Sequence, residues 1–500
     1  MSSPSTLPPA ASRTTALAIK ALQEQITQTA HQAAEPRPLL AHDAVLTALL
    51  AQVEPINFRE RAGIEEQPEE KLRTSDYVIL VVEEVLRLAQ VNNWGLARNE
   101  QSPFVYIYNG AYWKTINEKI LGAFLGAAAE QMGVDRRKAR FVGFKELLLK
   151  QFLDAAYFPV PVPSPDTVRI NLSNGTFVIS PHGNTLRRPQ ATDFLLYQLP
   201  FPYDAKATAP KFQAFLNRVQ PDKDCQELLA EYIGYVFVSN RRLKLERALL
   251  LYGGGANGKS VFYEIITALL GPENISHYSL ESLTTPPAYS RANLANKLVN
   301  YVSEISGNLE ANCFKQMTSG ETIEARLPYG QPFELRDYAR LIFNCNTLPG
   351  NAEQTEGYFR RFLIVPFNVT IPRDEQDTQL AAKIIRAELS GVFNWVLQGL
   401  ERLLQRQNFA EPAAVSAERD NYRKTSDSVR MFLDELQYVP DPDLKVTLKD
   451  MHSEYKRFCQ EDLYKPVGTP NFKKRLEAAG FLTKRTNGVN VVYCRKPTAF

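Results

Sequence analysis

Residues 248–270 read ALLLYGGGANGKSVFYEIITALL: an apolar run, a glycine-rich loop and a helical pattern follow one another. The loop matches G-x-x-x-x-G-K-[ST] and lies between a predicted strand and a predicted helix, the context that this motif needs. Glycines permit the turns that bring backbone N–H groups around phosphate oxygens at a helix N-terminus, where the helix dipole also favours negative charge. The sequence therefore predicts a nucleotide site formed by Gly253, Gly254, Gly255, Ala256, Asn257, Gly258, Lys259, Ser260 and Val261.

The chemistry of this loop predicts ATP and Mg²⁺ as cofactors. Lys259 is expected to neutralise the β- and γ-phosphates, and the Ser260 hydroxyl is expected to ligate Mg²⁺. A chance glycine-rich turn is the alternative, and the succession of strand, loop and helix argues against it.

Two polar residues at the ends of later predicted strands are candidates for the hydrolytic step. LVNYVSE ends in Glu304, 45 positions after Lys259, and this carboxylate is expected to orient the attacking water and to help hold the metal. LIFNCN ends in Asn346, an amide suited to polarising that water or sensing the γ-phosphate. The alternatives are a solvated glutamate at a strand end and a turn asparagine before Pro349.

Arg360 and Arg361 precede the predicted strand FLIVPF. A planar guanidinium supplied across a subunit boundary stabilises the charge of a transferring phosphoryl group, so either residue is a candidate arginine finger. An ordinary surface salt bridge is the alternative for each.

In this order the elements resemble superfamily 3 helicases, and specifically the phage, plasmid and poxvirus primase-helicase ATPase group. Walker A corresponds to GGGANGKS, Walker B to LVNYVSE, the B′ segment to FKQMTSGETIEARLPYGQPFEL, motif C to LIFNCNTLP and the Arg-finger stretch to EGYFRRFLIVPF. INLSNGTFVI, YDAKATAPKFQAFL and EYIGYVF are similar to the domain that precedes the motor, so the resemblance covers about 76–367. It implies a ring-shaped, usually hexameric AAA+-like motor that hydrolyses ATP between subunits and moves along single-stranded DNA.

The sequence departs from the family pattern at two places. Ser303 stands where many relatives in the wider superfamily have a second acid, so Mg²⁺ is expected to depend on the loop serine, Glu304 and water. The B′ hairpin normally has a basic tip in the channel, whereas LPYGQPFEL has none. DNA contact is expected instead from Lys315, Arg326 or stacking by Tyr329.

The predicted fold class is an α/β P-loop (AAA+-like) ATPase core with an α+β N-terminal domain, a helical collar and a C-terminal winged helix. The chain of 500 residues is 44% hydrophobic and 23% charged, which is ordinary for a folded protein and excludes wholesale disorder. The predicted divisions are a flexible arm at 1–75, the α+β domain at 76–205, the collar at 206–245, the ATPase core at 246–370, a helical lid and linker at 371–425, and the winged helix at 426–500. The pairs Asn109-Gly110 and Asn174-Gly175 predict turns between strands, and apolar residues between 211 and 244 recur at helical spacing.

Basic charge is concentrated near the C-terminus, where residues 444–500 contain twelve Lys and Arg against five Asp and Glu. The pattern of residues 426–500 predicts three helices followed by a hairpin, an order that suggests a winged helix. Such a unit binds DNA through phosphate contacts and a helix in the major groove. A solvated basic face is the alternative. The candidate contacts are Lys473, Lys474 and Arg475 on the last helix and Lys484 and Arg485 in the hairpin.

Other patterns exclude several classes of function. The five cysteines form no C-x-x-C pair, which predicts buried reduced thiols. No signal-peptide pattern and no apolar run near the ~20 residues of a membrane span are present, so a cytoplasmic protein without a membrane partner is expected. The acids nearest to a primase metal site, Asp441 and Asp443, flank a proline in a predicted loop, so no primase activity is expected in this chain.

Three functions remain as hypotheses from the sequence. The first is an ATP-driven helicase that replicates a phage, plasmid or integrated mobile element, with single-stranded and forked DNA and its own copies as partners, and with a separate primase or another replication protein as a further candidate. The second is an origin-binding initiator without processive unwinding. The third is a non-enzymatic ring scaffold that uses ATP only to assemble.

Overall fold

The computed structural model describes residues 39–99, 103–158, 166–302, 309–349, 353–461 and 466–496. Its helices within those ranges are α1 (His42–Leu50), α2 (Phe58–Arg61), α3 (Thr74–Val91), α4 (Glu118–Gln131), α5 (Arg136–Arg140), α6 (Val142–Ala155), α7 (Pro210–Val219), α8 (Lys223–Tyr235), α9 (Lys259–Leu270), α10 (Leu280–Thr284), α11 (Tyr289–Ala292), α12 (Ala311–Ser319), α13 (Glu356–Phe359), α14 (Leu380–Arg406), α15 (Ala413–Thr425), α16 (Ser428–Glu435), α17 (Leu448–Glu461) and α18 (Thr469–Ala478).

The strands are β1 (Gly95–Asn99), β2 (Val105–Tyr108), β3 (Trp113–Ile116), β4 (Tyr157–Phe158), β5 (Val168–Leu172), β6 (Gly175–Ser180), β7 (Gly183–Arg187), β8 (Ala248–Tyr252), β9 (Ile275–Ser276), β10 (Val299–Val302), β11 (Ile323–Arg326), β12 (Pro332–Leu335), β13 (Arg340–Cys345), β14 (Phe362–Pro366), β15 (Val439–Thr447), β16 (Leu482–Thr486) and β17 (Val489–Arg495). Three short 3₁₀ segments complete the description at Ala191–Asp193, Pro272–Asn274 and Arg373–Glu375.

The N-terminal helices share one apolar core, and a sheet of order β3-β2-β1-β4 contributes to it. β2 and β3 form the hairpin that the sequence predicts about Asn109 and Gly110. Val45 on α1 and Phe58 on α2 are buried in this core. The prediction of a flexible arm over 1–75 is therefore wrong for these two helices, because each contributes apolar side chains that the core excludes from water; residues 1–38 lie outside the described residues.

A three-stranded antiparallel sheet, β5-β6-β7, leads to the central helices. Leu172 pairs with Gly175 to close the predicted Asn174-Gly175 turn. α7 and α8 follow, as the helical spacing between 211 and 244 predicts, and they pack with α14 in one core with one face of the central sheet. The close approach of α14 to α8 depends on Gly399, since a Cβ built there would lie 2.3 Å from the backbone carbon of Ala230.

The central sheet has the strand order β14-β8-β13-β10-β9, and every neighbouring pair is parallel. The four apolar segments predicted as strands of an α/β core all lie in it. Leu249 and Leu251 belong to the core that contains α14, whereas Leu250 belongs to the core on the opposite face. Burial on both faces is typical of parallel sheets. Because the strands are parallel, the carboxyl ends of β8, β13 and β10 lie at one edge of the sheet.

The C-terminal residues form a unit with its own apolar core, made of α16, α17, α18 and a sheet of order β15-β17-β16. Its element order is helix, strand, helix, helix, strand, strand, so the prediction of three helices and a hairpin omits one strand. That strand, β15, contains Asp441 and Asp443, which the sequence places in a loop. β15 is an edge strand whose pairing shifts register between Pro440 and Lys445, and edge positions tolerate proline.

α15 corrects the prediction of a lid and linker at 371–425. It packs against β14, and its Tyr422 is buried, with the hydroxyl donating to the carbonyl oxygen of Pro349 at 2.8 Å. The polar composition of 413–425 suggests a linker, but the apolar positions Val415 and Tyr422 are enough to attach a helix to the core.

All five cysteines are buried and free, as the sequence predicts. Burial raises the pKa of the Cys345 thiol to about 12, so this thiol beside the glycine loop stays protonated. Among the described residues, no helix combines the length and the apolar composition that crossing a membrane requires.

Candidate functional site

The glycine loop joins the carboxyl end of β8 to α9 and packs tightly at both of its ends. A Cβ on Gly253 would lie 2.3 Å from the carbonyl oxygen of Phe367. Gly258 has a φ of +83°, and a Cβ there would lie 2.5 Å from a methyl carbon of Val219. At Gly254 and Gly255, by contrast, a Cβ would meet nothing within 4 Å. The two ends of the loop are therefore held against the protein, while its middle is open to a ligand.

Lys259 places its ammonium group inside this loop. Its Nζ donates to the carbonyl oxygens of Gly253 at 2.6 Å and Gly254 at 2.9 Å, and to Oδ1 of Asn257 at 3.1 Å. The residue is only 6% exposed, and burial lowers its pKa from the ordinary lysine value. All three N–H donors thus have partners, and a positive charge lies at the start of α9.

The chain that follows β14 holds the loop from the other side. Asn257 Nδ2 donates to the carbonyl oxygen of Phe367 at 2.9 Å, and the backbone N–H of Ile371 donates to the carbonyl oxygen of Ala256 at 2.7 Å. Ala256 has a left-handed φ of +57°, which these contacts help to maintain. Ser260 is exposed at the beginning of α9, and Val261 is half-buried.

Asn346 lies at the same edge of the sheet as the loop. It follows β13, which pairs directly with β8, and the backbone N–H of Gly253 donates to the carbonyl oxygen of Cys345 at 3.2 Å. Asn346 is exposed, so its amide is accessible to a ligand. Glu304 follows β10, the next strand of the sheet, but residues 303–308 lie outside the described residues, and the structure does not test its prediction.

A buried hydrogen-bond network beneath the loop is absent from the sequence predictions. The Tyr301 hydroxyl on β10 donates to Oδ1 of Asn344 on β13 at 3.1 Å, and Asn344 Nδ2 lies 3.5 Å from the carbonyl oxygen of Lys259. The network links the strand that leads to Glu304 with the start of α9. An asparagine inside the apolar run LIFNC is the sequence signal that could have found it, because a buried amide needs partners.

Arg360 and Arg361 lie at the opposite edge of the sheet from the loop. β14 pairs with β8 so that Phe362 is opposite Ala248, and both arginines therefore precede the amino ends of the strands. The five residues of β8 separate the two edges by roughly 16 Å, more than an arginine side chain can span. Neither arginine can reach a ligand in the loop of its own chain.

The two arginines differ in exposure although both bind Glu246. Arg361 Nη2 lies 3.1 Å from Oε2 of Glu246 and donates to Oγ of Ser319 at 2.9 Å, and its Nη1 donates to the carbonyl oxygen of Gly357. Arg360 Nη2 lies 3.2 Å from the same Glu246 oxygen. The Arg361 side chain is 10% exposed and that of Arg360 54%. Only Arg360 presents its guanidinium to solvent, and the sequence does not identify Glu246 as their shared partner.

The three residues of the B′ segment that are predicted to contact DNA differ in exposure and in partners. β11 and β12 form a hairpin, and Tyr329 at its tip is fully exposed with a left-handed φ of +62°. Arg326 is exposed nearby and donates from Nε to the carbonyl oxygen of Gly330 at 2.9 Å. Lys315 is on α12 and forms an ion pair with Glu353 at 2.9 Å. Tyr329 is therefore the group at the tip that is free to stack on a base.

The basic residues of the C-terminal unit also divide into two sets. Arg475 forms an ion pair with Asp427 at 3.1 Å and is largely shielded, which assigns it a structural contact between α18 and the start of α16. Lys473 lies 3.8 Å from Glu477, its neighbour one turn along the helix. Of the five predicted contacts, the exposed ones are Lys474 on α18 and Lys484 and Arg485 on β16.

No cluster of three or more His, Cys, Asp or Glu side chains with metal-binding geometry occurs among the described residues. The predicted metal ligands Ser260 and Glu304 do not form such a cluster by themselves, and Glu304 is outside the described ranges. A divalent cation at the loop would therefore depend on the serine hydroxyl, the nucleotide phosphates and water as well as on Glu304.

Two regions of the chain match known protein families. Residues 98–221 match the family described as "D5 N terminal like", and residues 251–361 match the "Family of unknown function (DUF5906)". These two matches, together with helicase-named viral relatives, support a relationship to the superfamily 3 primase-helicases of phages and viruses. The second matched region contains the glycine loop, Asn346 and both arginines.

Two curated viral proteins are similar to the chain. "Putative helicase 022R" of Frog virus 3 (isolate Goorha) is 26% identical over 294 residues, which cover 54% of this chain and 29% of that protein. "Putative helicase L207/L206" of Acanthamoeba polyphaga mimivirus is 22% identical over 356 residues, which cover 64% of this chain and 36% of that protein. The chain thus spans about a third of the length of these relatives.

Solved structures of the NrS-1 C-terminal region also align with the chain. One, an A form apo structure, has a TM-score of 0.47 and 13% identity and covers 85% of this chain and 100% of that one. A second, of residues 305–718, has a TM-score of 0.44 and 12% identity over the same shares.

Proposed function

We propose that this protein is an ATP-hydrolysing DNA helicase and that residues 253–261 are its P-loop. The observation that carries the proposal is the Lys259 ammonium, held inside a glycine loop at the carboxyl edge of a parallel sheet, where such sheets bind ligands. The loop fits a nucleotide, because its ends need glycine, its middle is open and its charge is positive. Lys259 would exchange its contacts with loop carbonyls for phosphate oxygens, and Ser260 with Glu304 would hold Mg²⁺.

Glu304 and Asn346 are proposed as the hydrolytic pair. Both follow strands whose carboxyl ends lie at the edge of the sheet that carries the loop. Glu304 would orient the attacking water, and the exposed amide of Asn346 would hydrogen-bond to that water or to the γ-phosphate. ATP supplies the phosphoryl bond whose cleavage drives movement. The Tyr301–Asn344 contact would keep the two strands in register beneath the reacting groups.

The position of Arg360 supports hydrolysis between subunits. Arg360 is exposed, and it lies at the edge of the sheet opposite to the P-loop of its own chain. A nucleotide that it touches would therefore be bound by another copy of the chain. We infer a homo-oligomeric ring, with six copies as the arrangement typical of the family, and Arg360 rather than Arg361 as the arginine finger. Arg361 would hold Glu246 and the start of β14 in place.

DNA is the proposed partner of the hairpin tip and of the C-terminal unit. Tyr329 would stack on bases of single-stranded DNA in the ring channel. The order helix, strand, helix, helix, strand, strand supports a winged helix in 426–500, with Lys474 on the helix and Lys484 and Arg485 on the wing as contacts to the phosphates of forked DNA. α7 and α8 would be the collar that joins the N-terminal units to the motor.

The test is DNA-stimulated ATPase activity and unwinding of a fork by the purified chain, beside its Glu304→Gln variant. We expect the wild type to hydrolyse ATP and to displace a strand many base pairs from the loading point, and the variant to bind ATP without turnover. ATPase activity with melting confined to the loading point would favour the origin-binding initiator, and ATP binding without turnover in the wild type would favour the scaffold. Near-normal hydrolysis by Glu304→Gln would refute the role of Glu304.

A further inference from the structure

The junction of α5 and α6 carries an exposed basic and aromatic surface far along the chain from the P-loop, the hairpin tip and the C-terminal unit. Residues 136–150 contain six Lys and Arg against one Asp or Glu, within a chain whose net charge is only +3. We call the exposed group Arg136, Arg137, Arg140, Phe141 and Val142 the elbow surface. Phe141 and Val142 are 63% and 62% exposed, unusual values for apolar side chains beside three arginines.

The Phe141 ring lies beside Gly143 at the start of α6. A Cβ built on Gly143 would lie 2.6 Å from Cε1 of this ring and 3.2 Å from its Cζ, so glycine is what allows the contact. Phe141 is nevertheless 63% exposed, so much of the ring is open to solvent. An exposed aromatic ring beside cationic side chains is a group on which a planar base can stack.

Two of the three guanidinium groups, those of Arg136 and Arg140, are held by Glu130 within the N-terminal unit. Glu130 accepts from Arg140 Nε at 2.8 Å and Nη2 at 3.0 Å, and it lies 3.6 Å from Arg136 Nε. Two arginines share one carboxylate, so a positive charge is left over. Arg137 is exposed and forms none of the ion pairs found within the described ranges. The Arg136 and Arg140 charges are held in place and partly neutralised, and Arg137 adds a further positive charge.

The junction of α5 and α6 is anchored to the core of the N-terminal unit. Lys138 Nζ lies 4.1 Å from the centre of the Tyr77 ring on α3, and Ala139 and Phe144 are buried on either side of the exposed residues. The Asp135 side chain accepts from the backbone N–H groups of Arg137 and Lys138 and so begins α5. The backbone beneath the surface is thus preorganised, and a ligand would have to order only exposed side chains.

We propose that the elbow surface binds single-stranded DNA, with a base stacked on Phe141 and neighbouring phosphates paired with Arg137 and the shared guanidinium pair. The proposal takes its choice of nucleic acid from the proposed helicase function, and it adds a contact outside the ring channel. A membrane surface fits less well, because two exposed apolar residues form no broad apolar face.

The first experiment measures binding of a fluorescent oligo(dT) to the full-length chain without nucleotide, over a range of salt concentrations. Phe141→Ala should weaken binding at least about fivefold without changing the salt dependence, and Phe141→Trp should restore it. Arg137→Glu should weaken binding and reduce the slope of log affinity against log salt by about 0.7 or more. Because the assay needs no ATP, its result does not depend on whether the chain hydrolyses ATP.

Matched controls separate this surface from general effects of charge and apolar area. Leu147→Ala removes another exposed apolar side chain of α6, five positions from Val142 and so about 140° around the helix. Arg386→Glu reverses an exposed charge on α14. Both should leave oligo(dT) binding unchanged. Equal losses in the controls and the elbow variants would overturn the proposal.

Photo-crosslinking provides a readout that other DNA sites cannot mask. An oligonucleotide carrying 5-iodouracil should crosslink to a peptide that contains Phe141, and the crosslink should disappear in Phe141→Ala. Absence of that crosslink in the wild type, with oligo(dT) affinity unchanged in the elbow variants, would overturn the proposal. Loss of binding to phosphatidylserine vesicles in those variants, with DNA binding intact, would also overturn it and assign the surface to a membrane.

Discussion

Lys259 is buried and hydrogen-bonded to its own loop, so its replacement is assessed by the stabilisation that a ligand adds to each protein, not by stability alone. Lys259→Ala should remove the thermal stabilisation that Mg²⁺ and ATP give to the wild type, about 2.7 kcal/mol at a ligand concentration of 100 times Kd. Lys383→Ala, which removes an exposed partner of Asp377, should keep that stabilisation. Thermal unfolding with and without Mg-ATP measures both. Full stabilisation of Lys259→Ala would contradict the nucleotide site.

Replacing Arg360 and replacing Arg361 should have different effects on the free energy of unfolding. Arg361→Ala removes the shielded guanidinium that binds Glu246 and Ser319 and should cost about 2 kcal/mol of unfolding free energy. Arg360→Ala removes an exposed ion pair and should cost less than about 1 kcal/mol. Urea unfolding measures both variants, and similar losses would contradict the structural role given to Arg361.

The proposed finger should act on a neighbouring subunit. Arg360→Ala should bind ATP and hydrolyse it poorly, because the transferring phosphoryl group loses a guanidinium partner. Mixing this inactive variant with inactive Lys259→Ala should recover some ATPase activity at interfaces that pair an intact loop with an intact finger. Verified mixed rings that show no recovery would rule out action in trans.

Among the helices, α14 depends on glycine where it crosses α8. Gly399→Ala would place a Cβ 2.3 Å from backbone atoms of Ala230, so the helices must separate, and we expect a loss of about 2 kcal/mol or more. Gly122→Ala on α4, where a Cβ meets nothing within 4 Å, should instead stabilise by about 0.5–1 kcal/mol. Thermal or urea unfolding of the two variants measures these changes. If Gly122→Ala were also destabilised, the loss in Gly399→Ala could not be assigned to the contact with Ala230.

Tyr329 at the tip of the β11–β12 hairpin can be replaced to test stacking on DNA without disturbing the fold. Tyr329→Ala should reduce fork unwinding at least tenfold while basal ATPase activity and unfolding free energy stay near wild type, because the side chain is fully exposed. Tyr329→Phe should restore unwinding, since the ring is retained. Unwinding that is unaffected by Tyr329→Ala would remove the hairpin from the DNA path.

On the scale of the whole molecule, the C-terminal unit has its own core and should be separable from the motor. A chain ending at Thr425 should keep basal ATPase activity, while its DNA affinity falls and depends less steeply on salt, by roughly 0.9 in the log–log slope for each lost duplex phosphate contact. Lys474→Ala with Lys484→Ala should show part of this effect. Unchanged affinity and slope in both proteins would reassign the unit to binding another partner.

Short-range patterns in the sequence are enough to predict the local elements of this protein. Residues 248–270 predicted strand, loop and helix, and the Asn109-Gly110 and Asn174-Gly175 pairs predicted turns that the structure contains. These features could be predicted because periodicity, glycine conformations and turn preferences act over a few neighbouring residues. The same locality made Asn346 a candidate at the end of a strand, although its role stays a prediction.

Which charged and apolar side chains are available for function depends on contacts between distant parts of the chain. Glu246 pairs with arginines 114 and 115 positions later, Lys315 with a glutamate 38 positions away and Arg475 with an aspartate 48 positions away. The same reason explains why α1 and α2 are in a core and not in an arm. Contacts between distant residues follow from how elements pack, and packing, unlike helix or turn propensity, leaves no short-range pattern in the sequence.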